Sequence, residues 1–183
     1  MSLDILQKQK DFMDLYEPSL SRLARFVHSM VWQKEEAKDI ISETVLIAFE
    51  KFETVKNKNV FQYFLFGIAS NLVKRKERRK KFTEIFNEEK AEQIMDNSAN
   101  AEMFSDVSDL YKAMKQLPLN QREAVSLFEI SGISLKEIQE MQGGSLSGVK
   151  SRIARAREEL SRILGGKIHS VKKQETNSLT EKI

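Results

Sequence analysis

The sequence predicts an all-α protein made of two small helical domains joined by a flexible acidic linker. Three observations carry that expectation. Apolar residues recur at helical spacing along most of the chain, and no segment alternates convincingly with period two. Only 2 Pro and 7 Gly interrupt 183 residues, and five of the glycines fall in two short groups, Gly143, Gly144 and Gly148, then Gly165 and Gly166. Charged residues make up 31% and hydrophobic residues 40%, which is too polar for one large core and adequate for two small ones.

The first domain is expected over residues 1–82 and rests on three apolar stripes. Leu15, Leu20, Leu23, Phe26, Val27 and Met30 form one, and Ile40, Ile41, Thr44, Val45, Ala48, Phe49 and Phe52 a second. The third, Phe61, Phe64, Leu65, Ile68 and Leu72, follows the polar break Thr54–Asn59 and runs into the basic tract Lys74–Lys81. Phe61 and Phe64 are expected in the core, and Phe66 has no assigned face.

Residues 83–109 read as the linker. They hold eight acids against the single base Lys90, a net charge of −7, so the flanks together carry +10 in a chain of net charge +3. This asymmetry suggests two basic modules on an acidic tether, as a nucleic-acid partner would require, while a solvated acidic loop in a near-neutral protein accounts for the charge alone equally well. Asn97–Ala101, where apolar periodicity is weakest, marks its middle.

The second domain is expected over residues 110–164. Leu110, Ala113, Met114 and Leu117 make a short amphipathic helix that Pro118 ends. Asn120 with Glu123, and Ser134 with Glu137, each read as a helix-starting cap in which two side chains satisfy orphan amides. The helix after Ser134 turns Leu135, Ile138 and Met141 inward, Gly143 and Gly144 supply a tight turn, and a last helix starts at Ser145 with Val149, Ile153, Ala156, Leu160 and Leu164 on one face. Helix, glycine turn, helix is a helix-turn-helix arrangement. Residues 165–183, polar after two glycines, are expected to be a disordered tail.

Composition narrows the function. Cys is absent, which excludes disulfides, Cys-ligated zinc and thiol nucleophiles and suits a reducing cytoplasm. No apolar run approaches the ~20 residues of a membrane span, and the start, MSLDILQKQKDF, lacks a signal peptide's order, so a cytoplasmic protein without membrane insertion is expected. The two histidines, His28 and His169, stand apart, and no phosphate loop or metal cluster is recognisable. Neither catalysis, a cofactor nor a metal is expected.

The segment LPLNQREAVSLFEISGISLKEIQEMQGGSLSGVKSRIARAREEL, Leu117–Leu160, closely resembles the fourth conserved region of the extracytoplasmic-function sigma factors of bacterial RNA polymerase. FMDLYEPSLSRLARFV, EAKDIISETVLIAFEKF and FQYFLFGIASNLVKRKERR resemble their second conserved region, in family order and at family spacing. Gly67 and Ser70 stand where family members usually carry Arg, Gly148 where they carry Thr, Phe64 where they carry Trp, and Ser42 where Gln is common. The resemblance implies a promoter-recognition subunit that binds core polymerase through its clamp helices and flap, contacts promoter DNA, and is held inactive by an anti-sigma factor.

It also implies roles for residues. Ser147, Lys150, Ser151 and Arg155, opposite the apolar stripe of the last helix, would contact the upstream promoter element; Arg152 and Arg157 would touch phosphate or buttress the helix; Arg122 is a phosphate candidate. For the downstream element, Tyr63, Ser70, Asn71, Lys74 and Arg78 share the face opposite Phe61, Leu65 and Ile68, with Arg75 in the same basic tract and Asn57 and Asn59 in a loop that would hold a flipped base. Asp39, Ser42 and Glu43 would meet the polymerase clamp helices, and Leu127 or Phe128 would receive the flap tip. Asp39 and Glu43 could instead only favour the dipole at their helix's start, a reading of comparable weight for Asp39. A conventional helix-turn-helix regulator with a helical sensor or dimerisation domain accounts for Leu117–Leu164 as well, but it leaves the IISETVLIAF and FLFGIASN blocks without a purpose.

Overall fold

A computed structural model describes residues 2–55, 57, 60–86 and 105–165, which contain seven α-helices and no strand. Helix α1 (Ser2–Met30) runs through Pro18, α2 is Lys34–Glu50, a short 3-10 turn covers Phe52–Thr54, and α3 is Phe61–Phe86. Then come α4 (Ser105–Gln116), α5 (Leu119–Val125), which passes into a π turn at Ser126–Ile130, α6 (Leu135–Gln142) and α7 (Leu146–Ile163).

The first three helices close around Phe12. The rings of Phe49, Phe52 and Phe61 meet it edge-on at 5.3, 5.5 and 5.6 Å, and Tyr16 stacks on it at 5.6 Å. Each such pair adds about 0.5–1.5 kcal/mol beyond area burial, so this cage pins the start of α1 to the ends of α2 and α3. Phe66 proves to be core, fully buried with its ring 5.4 Å from Phe26. Phe64, expected inside, is only half-buried, because the seam follows Phe61, Leu65, Ala69 and Leu72 and Phe64 stands one helical step aside. Leu20 likewise leaves its stripe and lies on the surface of α1.

Helical structure extends into both ends of the predicted linker. Thr83–Phe86 complete α3, and Ser105–Asp109 open α4, ahead of the expected start at Leu110. The reason for the second is packing: Ala113, Met114 and Leu117 are buried with Ala156 and Leu160 of α7, and Trp32 packs on the same cluster, so α4 is wedged between α1 and α7. Residues 87–104 and the tail from 166 lie outside the described residues.

In the C-terminal module the Ser134 cap forms as expected. Its hydroxyl accepts from the Glu137 amide at 3.3 Å, and the Glu137 carboxylate accepts from the Ser134 amide at 2.9 Å. The Asn120–Glu123 cap does not form: α5 starts two residues earlier than a cap at Asn120 would place it, behind Pro118 and with no side-chain cap, and Glu123 is buried for another use. Gly143 and Gly144 both hold left-handed φ, 75° and 88°, which fits their place in the turn between α6 and α7. Ser145 caps α7, its hydroxyl accepting from the Gly148 amide at 3.1 Å.

The two modules are not separate bodies here. One apolar cluster runs from Phe26, Val27 and Phe66 of the first module to Ala124, Leu127, Ile138, Val149 and Ile153 of the second.

Candidate nucleic-acid interface

On α7 the apolar stripe Val149, Ile153, Ala156 and Leu160 faces inward, and the period of 3.6 turns Ser147, Lys150, Ser151, Ala154 and Arg155 outward, all exposed. Arg152 and Arg157 sit at the flanks, where both are used internally. Arg152 donates to the Gly143 carbonyl at 3.2 Å and so ties α7 to the turn before it. Arg157 donates through Nε to Glu129 at 2.7 Å and lies 5.8 Å from the centre of the Phe128 ring. Leu127, one of the two residues expected to receive the flap tip, is fully buried, and Phe128, the other, is half-buried.

Helix α3 presents two polar rows that the sequence had merged. Asn71, Arg75 and Arg78, at i, i+4 and i+7, are exposed. Tyr63, Ser70, Lys74 and Glu77 form the neighbouring row, and α5 and α6 lie against it. Ser70, expected on an open face, is buried and donates to Glu123. Lys74 Nζ stands 2.9 Å from the same carboxylate, and Gln142 donates to its other oxygen at 2.8 Å. Burial raises the Tyr63 phenol above its ordinary pKa, with Glu140 and Glu137 of α6 adding to the effect. Asn57 is exposed, its carbonyl accepting from the Val60 amide at 3.1 Å, and Asn59 lies outside the described residues.

Arg122 was expected at the surface as a phosphate contact and is instead 5% exposed. Its guanidinium lies 5.0 Å from the centre of the Trp32 ring and 3.6 Å from Glu77. Burial pulls its pKa down and Glu77 opposes that shift. The cation is held by a ring face and a carboxylate of the first module, so a phosphate reaches it only if the modules part.

Asp39, Ser42 and Glu43 lie along the outer side of α2, with Ser42 exposed. Two of them also serve the fold. Antiparallel α2 and α3 are laced by Glu36–Lys80 at 2.8 Å, Asp39–Lys76 at 3.8 Å and Glu43–Arg75. Arg75 therefore stands exposed but paired, a feature that neither helix's own pattern disclosed.

Among the described residues no helix is long and apolar enough to cross a membrane, and no three His, Asp or Glu side chains are grouped to hold a metal ion.

Comparison with known proteins follows this geometry. Residues 15–83 match the family model Sigma-70 region 2, and residues 108–160 match Sigma-70, region 4. The ECF RNA polymerase sigma factor SigM of Mycobacterium tuberculosis is 30% identical over 146 residues, which are 80% of this chain and 71% of that protein. The ECF RNA polymerase sigma factor EcfG of Rhodopseudomonas palustris is 27% identical over 143 residues, 78% of each chain. Among solved structures, the sigma factor RpoE of Bartonella quintana, in complex with the anti-sigma factor NepR, superposes with a TM-score of 0.73 at 25% identity over 86% of this chain and 99% of that one. The chain thus belongs to the ECF sigma factors of bacterial RNA polymerase, which bind core polymerase and direct promoter-specific transcription initiation.

Proposed function

We propose that residues 110–164 read the upstream promoter element through Ser147, Lys150, Ser151 and Arg155, and that residues 1–82 bind the polymerase clamp helices and open the downstream element, with the acidic segment 83–109 between them. The observation that carries this reading is the outward row on α7: four hydrogen-bonding side chains at helical spacing, exposed on a helix whose opposite side is apolar core. Arg152 and Arg157 act through the helix they brace.

On α3, Asn71 and Arg78 offer an amide and a guanidinium on one exposed row, suited to bases and backbone of a separated strand. Tyr63, Lys74 and Arg75 join them once their present contacts are released. Asn57 and Asn59 supply the loop for a flipped base. Ser42, with Asp39 and Glu43, marks the clamp-binding side of α2. Such a protein works in the cytoplasm with promoter DNA and polymerase, needs no cofactor, and has no catalytic activity of its own.

An anti-sigma partner belongs to this reading, supported by the solved complex of the similar RpoE with NepR. Reconstituted transcription with core polymerase on a promoter library, with start sites mapped, tests the whole reading. Defined start sites that vanish without this protein are expected; binding to duplex operator as a dimer, with no effect on initiation, would replace it with a conventional regulator.

A further inference from the structure

Helix α1 carries an apolar row that neither the core nor the promoter and polymerase assignments use. Nine large apolar side chains are exposed among the described residues, and four of them, Ile5, Leu6, Met13 and Leu20, lie on this one helix. Leu6, Met13 and Leu20 follow one another at seven-residue intervals, so they line up along a single side of α1, about a quarter turn from the buried Phe12. They are 60%, 41% and 43% exposed. The polar residues on the same strip are Gln9, Lys10 and Glu17, all exposed. Charges on the other sides of this end of α1 are used within the chain: Gln7 donates to Asp11 at 2.8 Å, and Lys8 meets Glu53 at 3.4 Å and stands over the Phe49 ring. Lys10 and Glu17 have no partner among the described residues.

The strip is complementary to itself when it is reversed. Met13 is its midpoint, with Leu6 seven residues before it and Leu20 seven after. Lys10 stands three residues before Met13 and Glu17 four after, on the same flank of the row. We propose that this face of α1 binds a second copy of the chain, the two helices running antiparallel about a twofold axis at Met13. Met13 then packs on Met13 of the second copy and Leu6 on its Leu20, while Lys10 meets its Glu17 to within one residue, about 1.5 Å of helix rise, and each contact occurs twice. A parallel pair would set Lys10 against Lys10 and Glu17 against Glu17, so charge selects the antiparallel arrangement. A strip with one base and one acid lacks the basic rim of a membrane-surface helix, and Glu17 repels a nucleic-acid backbone.

The row from Leu6 to Leu20 covers about 21 Å of helix, a contact smaller than that of a permanent complex. The pair is therefore weak and reversible, with a Kd on the order of 10–100 µM. It uses no residue assigned to promoter DNA or polymerase, so its failure would leave the functional reading intact.

Sedimentation velocity of the full-length protein across the micromolar range tests this, and a concentration-dependent passage from monomer to dimer is expected. Met13→Glu and Leu20→Glu change exposed positions and should keep the parent's circular dichroism while weakening association at least tenfold. Lys10→Glu, which places like charges opposite each other, should weaken it as well, and adding Glu17→Lys to Lys10→Glu should restore the parent's association. A chain that stays monomeric throughout would overturn the proposal and leave the row to a different protein. A dimer that ignores Lys10→Glu, or that the double reversal does not restore, would overturn it too, by placing the contact elsewhere.

Cross-linking fixes the orientation, since the chain contains no Cys. Met13→Cys, treated with copper phenanthroline and oxygen, which takes the two electrons and two protons, should give a covalent dimer on non-reducing electrophoresis. Leu6→Cys alone should not, whereas Leu6→Cys mixed with Leu20→Cys should. Self-linking by Leu6→Cys as efficient as that by Met13→Cys would make the pair parallel and rule out the twofold axis at Met13.

Discussion

Lys74 on α3 and Glu123 on α5 meet at 2.9 Å across the junction of the two modules, the carboxylate almost fully buried and the ammonium about a quarter exposed. Burying an acid so deeply is unfavourable unless hydrogen bonds and a cation surround it, and Ser70, Gln142 and Lys74 supply them. Lys74→Ala leaves the acid without its cation. A loss of roughly 1–3 kcal/mol in unfolding free energy is expected, at the low end because Lys74 keeps some contact with water. Urea denaturation measures it, and an unchanged midpoint would mean that the pair contributes nothing.

Arg122 and Lys150 make opposite predictions although both are basic residues of the same module. Arg122→Ala removes a buried cation stacked on Trp32, so the urea midpoint should fall while the dependence of promoter binding on salt stays as it was. Lys150→Ala, on an exposed face, should leave the midpoint unchanged. It should lower affinity for the preferred upstream element by about 1–3 kcal/mol relative to a scrambled one. Binding by the holoenzyme to the two sequences is the readout; equal losses on both would make Lys150 a backbone contact.

Asn71 is exposed beside the covered row and takes no part in the closed junction. Asn71→Ala is therefore expected to preserve folding and polymerase binding and to impair opening of a paired promoter. Permanganate reactivity on paired and pre-melted templates distinguishes the outcomes: a defect of the same size on both would remove Asn71 from the melting step.

The two predicted caps give a direct contrast. Ser134→Ala breaks a formed capping box and should cost about 1 kcal/mol. Asn120→Ala touches no cap, since α5 starts behind Pro118, and should stay within about 0.5 kcal/mol of the parent. Equal losses in thermal unfolding of the two variants would contradict this assignment.

His28, half-buried near the end of α1, is held below its ordinary pKa first by burial and then by the charge of Lys34. The unfolded chain therefore takes up the proton more readily than the folded one. Stability is fully present above the unfolded value of about 6.5 and declines as pH falls through it. His28→Gln should flatten the change in urea midpoint between pH 7 and pH 5; a variant with the parent's slope would assign that slope to other groups.

What the sequence by itself determined was local in origin. Helical periodicity, the cap at Ser134, the glycine turn at Gly143 and Gly144, and the outward face Ser147, Lys150, Ser151 and Arg155 all arise from residues within a few turns of one another, where spacing alone dictates which side chains share a face. Tertiary structure alone decided the fate of residues whose environment comes from distant parts of the chain. Glu123 has the spacing of a cap residue, yet Ser70 and Lys74, about fifty positions away, claim its carboxylate. Arg122 reads as a surface base until Trp32 and Glu77 cover it, and Tyr63 reads as open until α6 lies beside it. A one-dimensional pattern records which side of a helix is polar, but whether that side meets water or the acids of another module depends on docking, and docking is set by apolar burial between elements far apart in sequence.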